Sequence, residues 1–261
     1  MALEKSVSVS RGHSKFNAAI IGCVLAIAAS VATWGILHAK HRFYSVDSNF
    51  DIGMGASNQA RLALDAETAR VDRLNAAISL AIGGGLLAIA LAVLANACCS
   101  LPLRIVAAIP WGIVCGAGTG FLGPLLFAVL IPGDKLHSAT TAGIAQAVVF
   151  ACLGLGIGLL YGAFSRSSKT LATAAIFGAI AGGIGGIAFP IVASMTMPSQ
   201  NTGTFISDVS MVRLLWLSIP FMFIGFAIPS MSSQAAKQSS AESKPAQEIT
   251  SNLGAIFSDQ I

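Results

Sequence analysis

His38 and His41 stand three residues apart, a spacing at which two imidazoles on a helical turn can share a metal ion. No carboxylate or thiolate stands beside them to complete a ligand set, so they read better as interfacial residues at the end of an apolar run. The five cysteines are Cys23, Cys98, Cys99, Cys115 and Cys152, and they follow neither a disulfide framework nor a zinc spacing. Most fall inside apolar runs as small fillers; the adjacent Cys98 and Cys99, at a helix end, offer a candidate acylation site. Gln146 is the most polar side chain set deep in an apolar run, joined there by Thr33, Ser79, Thr119, Ser194 and Ser218. Its amide can bridge to a neighbouring helix or contact a solute, and the helix–helix bond is the favoured reading. No Asp, Glu, Lys or Arg lies deep in such a run, where ion-coupled carriers hold theirs. H-E-x-x-H, G-x-S-x-G and phosphate-loop motifs are all missing from the chain. The expectation is therefore a protein without catalytic residues, metal or cofactor.

The elements that carry these residues follow from composition. The chain has 261 residues, 55% of them hydrophobic and 10% charged. Soluble domains are nearer 25% charged, so so little charge cannot keep the outside of a soluble fold wet. The apolar residues come in runs of about 20, which is the length of helix that crosses a hydrocarbon layer of about 30 Å. Six such runs are expected as spans: Phe16–Leu37, Leu74–Ala97, Ile105–Ile131, Ala142–Phe164, Leu171–Met197 and Leu214–Met231. The fold class is all-α, a six-helix transmembrane bundle. The net charge of +4 sits in small clusters at helix ends rather than in a basic stripe, which excludes a nucleic-acid footprint.

Residues 1–15 are polar. Ala26-Ile27-Ala28 fits a small-x-small cleavage site and Ile20-Ile21-Gly22-Cys23 resembles a lipobox, but the apolar run continues well past both. An uncleaved anchor over 16–37 is the favoured reading. Residues 38–73 form the longest loop, with charges of both signs. Its second half is expected to be helical: Ser57 as cap, Arg61/Asp65 and Glu67/Arg70 as charge pairs, and Ala60, Leu64, Val71 and Leu74 as an apolar seam. It extends the second span into water, or serves as a docking surface for a protein partner. The tail, 232–261, is rich in Ser, Gln, Ala and Lys and reads as disordered, with a weak amphipathic pattern at Ile249, Leu253, Ile256 and Phe257. Lys and Arg in the short loops favour both termini on the cytoplasmic side. The absence of N-x-Ser/Thr sequons is compatible with a bacterial inner membrane.

The most informative pattern is an internal repeat at an offset of 66 residues, with 75–132 aligned on 141–198 without a gap. Trp111, Gly112, Gly116, Gly120, Pro124 and Pro132 return as Phe177, Gly178, Gly182, Gly186, Pro190 and Pro198. The domains read as a first hairpin, 74–132, and a second, 133–198, followed by a loop and sixth span over 199–231. Each copy holds an even number of spans, so the repeats are parallel and related by an axis along the membrane normal. The glycines line one face of each helix and let backbones approach. The partner helices carry small faces as well, Gly84/Ala88/Ala92 and Gly154/Gly158/Gly162. Pro124 and Pro190 release the carbonyls of Gly120 and Gly186. Such carbonyls must find a protein partner or water, so these positions mark either a kink absorbed by packing or a solute path.

Two main functional classes follow, with an intramembrane enzyme the least favoured third. One is a non-catalytic accessory or scaffold component, surrounded by lipid and binding protein partners through 38–73 or the tail. The other is a small-solute permease or channel between the two hairpins; a polar cavity there would favour it, and a dry bundle the scaffold. Six spans predict that reporter fusions at Ala56 and in the C-terminal tail report opposite sides of the membrane. Both on one side would refute the topology.

Overall fold

A backbone in hydrocarbon must satisfy its own hydrogen bonds, and a helix does so within one segment. The computed structural model of the chain describes residues 2–40, 43–46, 57–97, 102–130, 139–164, 168–197 and 209–230, and no strand occurs among them. The helices are α1 (Ala2–Ala39), α2 (Asn58–Ala97), α3, α4 (Ala139–Phe164), α5 (Ser168–Thr196) and α6 (Ser210–Ser230). α3 comprises an α-helical Pro102–Gly112, a π-helical turn Ile113–Ala117 and an α-helical Gly118–Leu130. Among the described residues, six helices are long and apolar enough to cross a membrane.

Three features differ from expectation. α1 starts at Ala2, so the polar N-terminal segment is helical and continuous with the first span. α6 starts at Ser210, which puts Arg213 in its first turn and buries it. Reading that run as beginning after the charge missed a turn, because a long Arg stem packs along apolar surface near a helix end. The π turn was not anticipated at all; at the matching positions 179–183, α5 is an ordinary α-helix. The helical extension of α2 is as expected. Ser57 Oγ accepts the Ala60 N–H at 3.3 Å, an N-cap bond. Arg70 makes paired bonds of 2.9 and 3.0 Å to Glu67, whereas Arg61 and Asp65 form no ion pair. Below the extension, Asn75 clamps the incoming chain: its Oδ1 accepts the N–H groups of Phe43 and Tyr44, and its Nδ2 donates to the Tyr44 carbonyl.

The helices divide into inner and outer sets. The apolar windows of α2, α4 and α6 are 61%, 56% and 50% buried, against 33%, 28% and 39% for α1, α3 and α5. The inner three touch pairwise: a methyl at Gly84 would meet Leu153, one at Gly83 would meet the Phe221 ring, and Gln146 bonds Trp216. Each outer helix lies against two inner ones. α3 contacts α2 at Gly120/Leu80 and α4 at Gly123/Val149; α5 contacts α4 at Gly182/Phe150 and α6 at Gly185/Pro220. α1 contacts α6 at Gly22/Gly225 and α2 where the Thr33 methyl faces Gly83. Outward-facing residues are large and apolar, as in the run Ile176, Ile180, Ile184, Ile187 and Ile191 along α5. That is the face expected toward lipid.

These contacts predict a size limit. Gly116→Leu and Gly182→Leu should each destabilise the bundle, toward the upper end of the roughly 1–3 kcal/mol typical of overpacking. Phe223→Leu, on an exposed face of α6, should cost far less. Reversible unfolding in mixed micelles measures both; tolerance of Leu at both glycines would mean that they face lipid.

Candidate functional site

The glycines singled out from the sequence, with Pro124 and Pro190, lie on helix faces, and most of the glycines meet another helix's backbone; Pro132 and Pro198 lie outside the described residues. Gly116 and Gly84 oppose each other so closely that a methyl on either would overlap the other's carbonyl oxygen. Gly182 stands in the same way on the Phe150 carbonyl, Gly120 on that of Leu80 and Gly186 on that of Gln146. Gly178 faces Gly154, while Gly112 faces Ile89. Gly158 and Gly162 of α4 press on Ala174 and Leu171 of α5. Room for a solute is therefore lacking where these glycines sit. Pro124 is buried and Pro190 half-buried. Neither Gly120 nor Gly186, whose carbonyls these prolines release, faces an open space.

Four of the five hydroxyls expected at depth are engaged locally. Thr33, Ser79 and Thr119 each donate to the carbonyl four residues earlier, at 2.7 Å, and Ser194 donates to Ile191 at 2.8 Å. Gln146 behaves as expected of a helix–helix bond: the Trp216 indole N–H donates to its Oε1 at 2.9 Å, and both residues are buried. Phe150 meets the Trp216 ring edge-on, with centroids 5.7 Å apart. Leu80, Leu87, Leu153, Ile157, Phe221 and Ile224 are wholly buried around this pair. Large side chains thus fill the zone where the three inner helices converge.

His38 stacks on Trp34, with centroids 5.4 Å apart, and its Nδ1 lies 3.3 Å from Ser210 Oγ. The Trp34 indole N–H donates to the carbonyl and hydroxyl oxygens of Ser210. This aromatic pair ties the end of α1 to the start of α6, an interfacial role. His41, Cys98, Cys99, the 131–138 link and the C-terminal tail lie outside the described residues. Among the described residues no group of three metal-ligating side chains occurs.

Sequence reasoning missed one feature. A groove of about 470 Å³ lies between α3, α4 and α5, with Trp111, Cys115, Leu160, Phe164 and Leu171 among its walls. Its α3 wall includes the π turn that holds Cys115. The signal for an irregular α3 was Pro110, which sits inside that helix and removes the bond to the Val106 carbonyl. No family model, curated protein or solved structure matches the chain.

The polar pair yields a prediction. Gln146→Leu and Trp216→Phe should each destabilise the protein, and a double-mutant cycle should give a coupling of about 0.6 kcal/mol and no more than about 1.7 kcal/mol, the average and the maximum found for hydrogen bonds between membrane helices. Strict additivity would show that the bond contributes nothing.

Proposed function

We propose that this chain is a non-catalytic, multi-pass membrane component that acts as a scaffold or accessory subunit and carries no solute. The observation behind this reading is the filled centre. Trp216, Phe150 and Phe221 occupy it, and the glycines that a path would need open are pressed on carbonyls of neighbouring helices. The buried hydroxyls of Ser30, Thr33 and Ser79 and the Gln146 Oε1 are engaged within the bundle, which leaves them unsuited to strip water from a substrate.

The reading includes an ancestral duplication of 75–132 onto 141–198. Contact register supports it. Gly116 meets residue 84 and Gly182 meets residue 150; Gly120 meets residue 80 and Gly186 meets residue 146. Both pairs of contacts are related by the 66-residue offset seen in the sequence. Gly112 breaks the rule by one position, facing Ile89 where the offset from Gly178/Gly154 calls for 88. The π turn between Gly112 and Gly116 accounts for that step, since it adds one residue to the turn. In each copy a helical hairpin forms through a glycine zipper.

The partner surface we assign is the extension of α2. From Asn58 to Arg73 it projects about 24 Å at 1.5 Å per residue. It presents Arg61, Leu62, Asp65 and Arg70 outward, with Leu62 62% exposed. The distribution of Lys and Arg supports both termini inside, and the lack of N-x-Ser/Thr sequons is compatible with a bacterial cytoplasmic membrane. Packing of α1 through Gly22 and Trp34 supports its retention as an anchor.

Two measurements test the function. Vesicles reconstituted with the protein should swell in osmotic gradients of small solutes no faster than protein-free vesicles. In native membranes, a photoreactive residue at Leu62 should give a discrete protein adduct, and one at Ile184 should not. Protein-dependent swelling would overturn the reading in favour of a permease.

A further inference from the structure

The two hairpins pack differently toward one end. In α4 and α5 the helices meet along a single row: Gln146 on Gly186, Phe150 on Gly182, Gly154 on Gly178, Gly158 on Ala174 and Gly162 on Leu171. The row of α2 at the matching positions is Leu80, Gly84, Ala88, Ala92 and Asn96. Its first members meet α3 in the same way, Leu80 on Gly120 and both Gly84 and Ala88 on Gly116. Further along, the α2 residues grow where those of α4 stay glycine. Asn96 holds the place of Gly162, and the contact of Gly162 with Leu171 puts Asn96 across from residue 105, in the first turn of α3.

Asn96 is only 2% exposed. Its Nδ2 donates to the Ala92 carbonyl at 2.8 Å, while among the described residues its Oδ1 has no hydrogen-bond partner. A buried amide oxygen left bare is costly, and a donor that reaches it recovers that cost. The first N–H groups of an α-helix have no partner inside the helix, so the first turn of α3 is a source of such donors. The half of α3 that carries them, Pro102–Gly112, is joined to the rest through two weak points. Pro110 removes the bond to the Val106 carbonyl, and the π turn Ile113–Ala117 interrupts the regular ladder. Helices bend at such places. This half is also loosely held: Val106, Ala107, Ile109, Pro110 and Trp111 are exposed, whereas the half beyond the turn is fixed by Gly120 on Leu80 and Gly123 on Val149.

We propose that Pro102–Gly112 is a hinged arm with two positions, pivoting at the π turn, and that Asn96 is its latch. In the position described above, the arm stands off and Asn96 Oδ1 is bare. In the second, an N–H of the arm's first turn donates to that oxygen. A few residues at an element's end or irregularity suffice to absorb such a swing. Ala107 and Trp111 travel with the arm and line the groove between α3, α4 and α5, so the latch sets the width of that groove.

Spin labels read the arm's position in the full chain, reconstituted in phosphatidylcholine vesicles with its native cysteines replaced by alanine. One pair of labels is placed at Ile109 on the arm and Ile176 on α5, both exposed positions. Pulsed electron paramagnetic resonance should give two populations of distance for this pair, one of them that of the structure. A second pair, at Leu122 beyond the hinge and Ile176, should give a single population. Asn96→Leu and Asn96→Ala both lack the acceptor, one at similar size and one smaller, so each should lose the second population of the Ile109 pair. Asn96→Asp keeps an acceptor and should retain it. A single distance for the Ile109 pair with Asn96 in place would overturn the proposal. So would a second population that persists undiminished in both Asn96→Leu and Asn96→Ala.

Discussion

The bundle depends on the approach of one helix backbone to another at glycine. In hydrocarbon, an apolar side chain gains nothing by turning from lipid to protein, so burial alone does not hold membrane helices together. What holds them is dispersion between closely fitted surfaces, and each additional atom in contact contributes only a little. Removing side chains brings whole backbones within reach. Gly84 with Gly116, Gly154 with Gly178 and Gly22 with Gly225 are three such meetings, and they join α2 to α3, α4 to α5 and α1 to α6. The inner and outer arrangement of helices follows from where these small faces lie.

Close approach has a consequence for the polar groups. A fitted interior leaves no water to satisfy them, so the hydroxyls of Ser30, Thr33, Ser79 and Thr119 turn back to their own helices, and Gln146 finds the Trp216 indole instead. The same fit fills the centre with Phe150, Trp216 and Phe221. The features that make the bundle tight are thus the ones that argue against a path through it. The groove lies on the outside, on the face of the π turn that carries Cys115, while Gly116 of the same turn meets Gly84.

Much of this was legible in the sequence, because spans are set by a single length and glycine spacing by a single period. The six apolar runs, the capped extension after Ser57, the Glu67–Arg70 pair and the role of Gln146 all follow from local rules. The rest depends on partners distant in the chain. Which helices lie inside cannot be read from apolar runs that are apolar on every side. The contact of Gly22 with Gly225 joins opposite ends of the protein, and no spacing within either helix announces it. By sequence Arg213 reads as a loop residue, because its charge interrupts the apolar run, yet it is buried in the first turn of α6. The π turn had only Pro110 as a signal, and a proline specifies a lost hydrogen bond but not how the helix recovers.

The central claim concerns glycine at backbone contacts, and a single methyl tests it most directly. In a helix interior Gly→Ala stabilises by about 1 kcal/mol where nothing is in the way. Gly118 and Gly143 are helical glycines with open space where a methyl would go, whereas Gly154 and Gly182 face carbonyls. Unfolding free energies of these four alanine variants in the same micelles should therefore differ in sign. The account predicts Gly118→Ala and Gly143→Ala at or above wild-type stability, and Gly154→Ala and Gly182→Ala clearly below it. A shift of all four in one direction would contradict it.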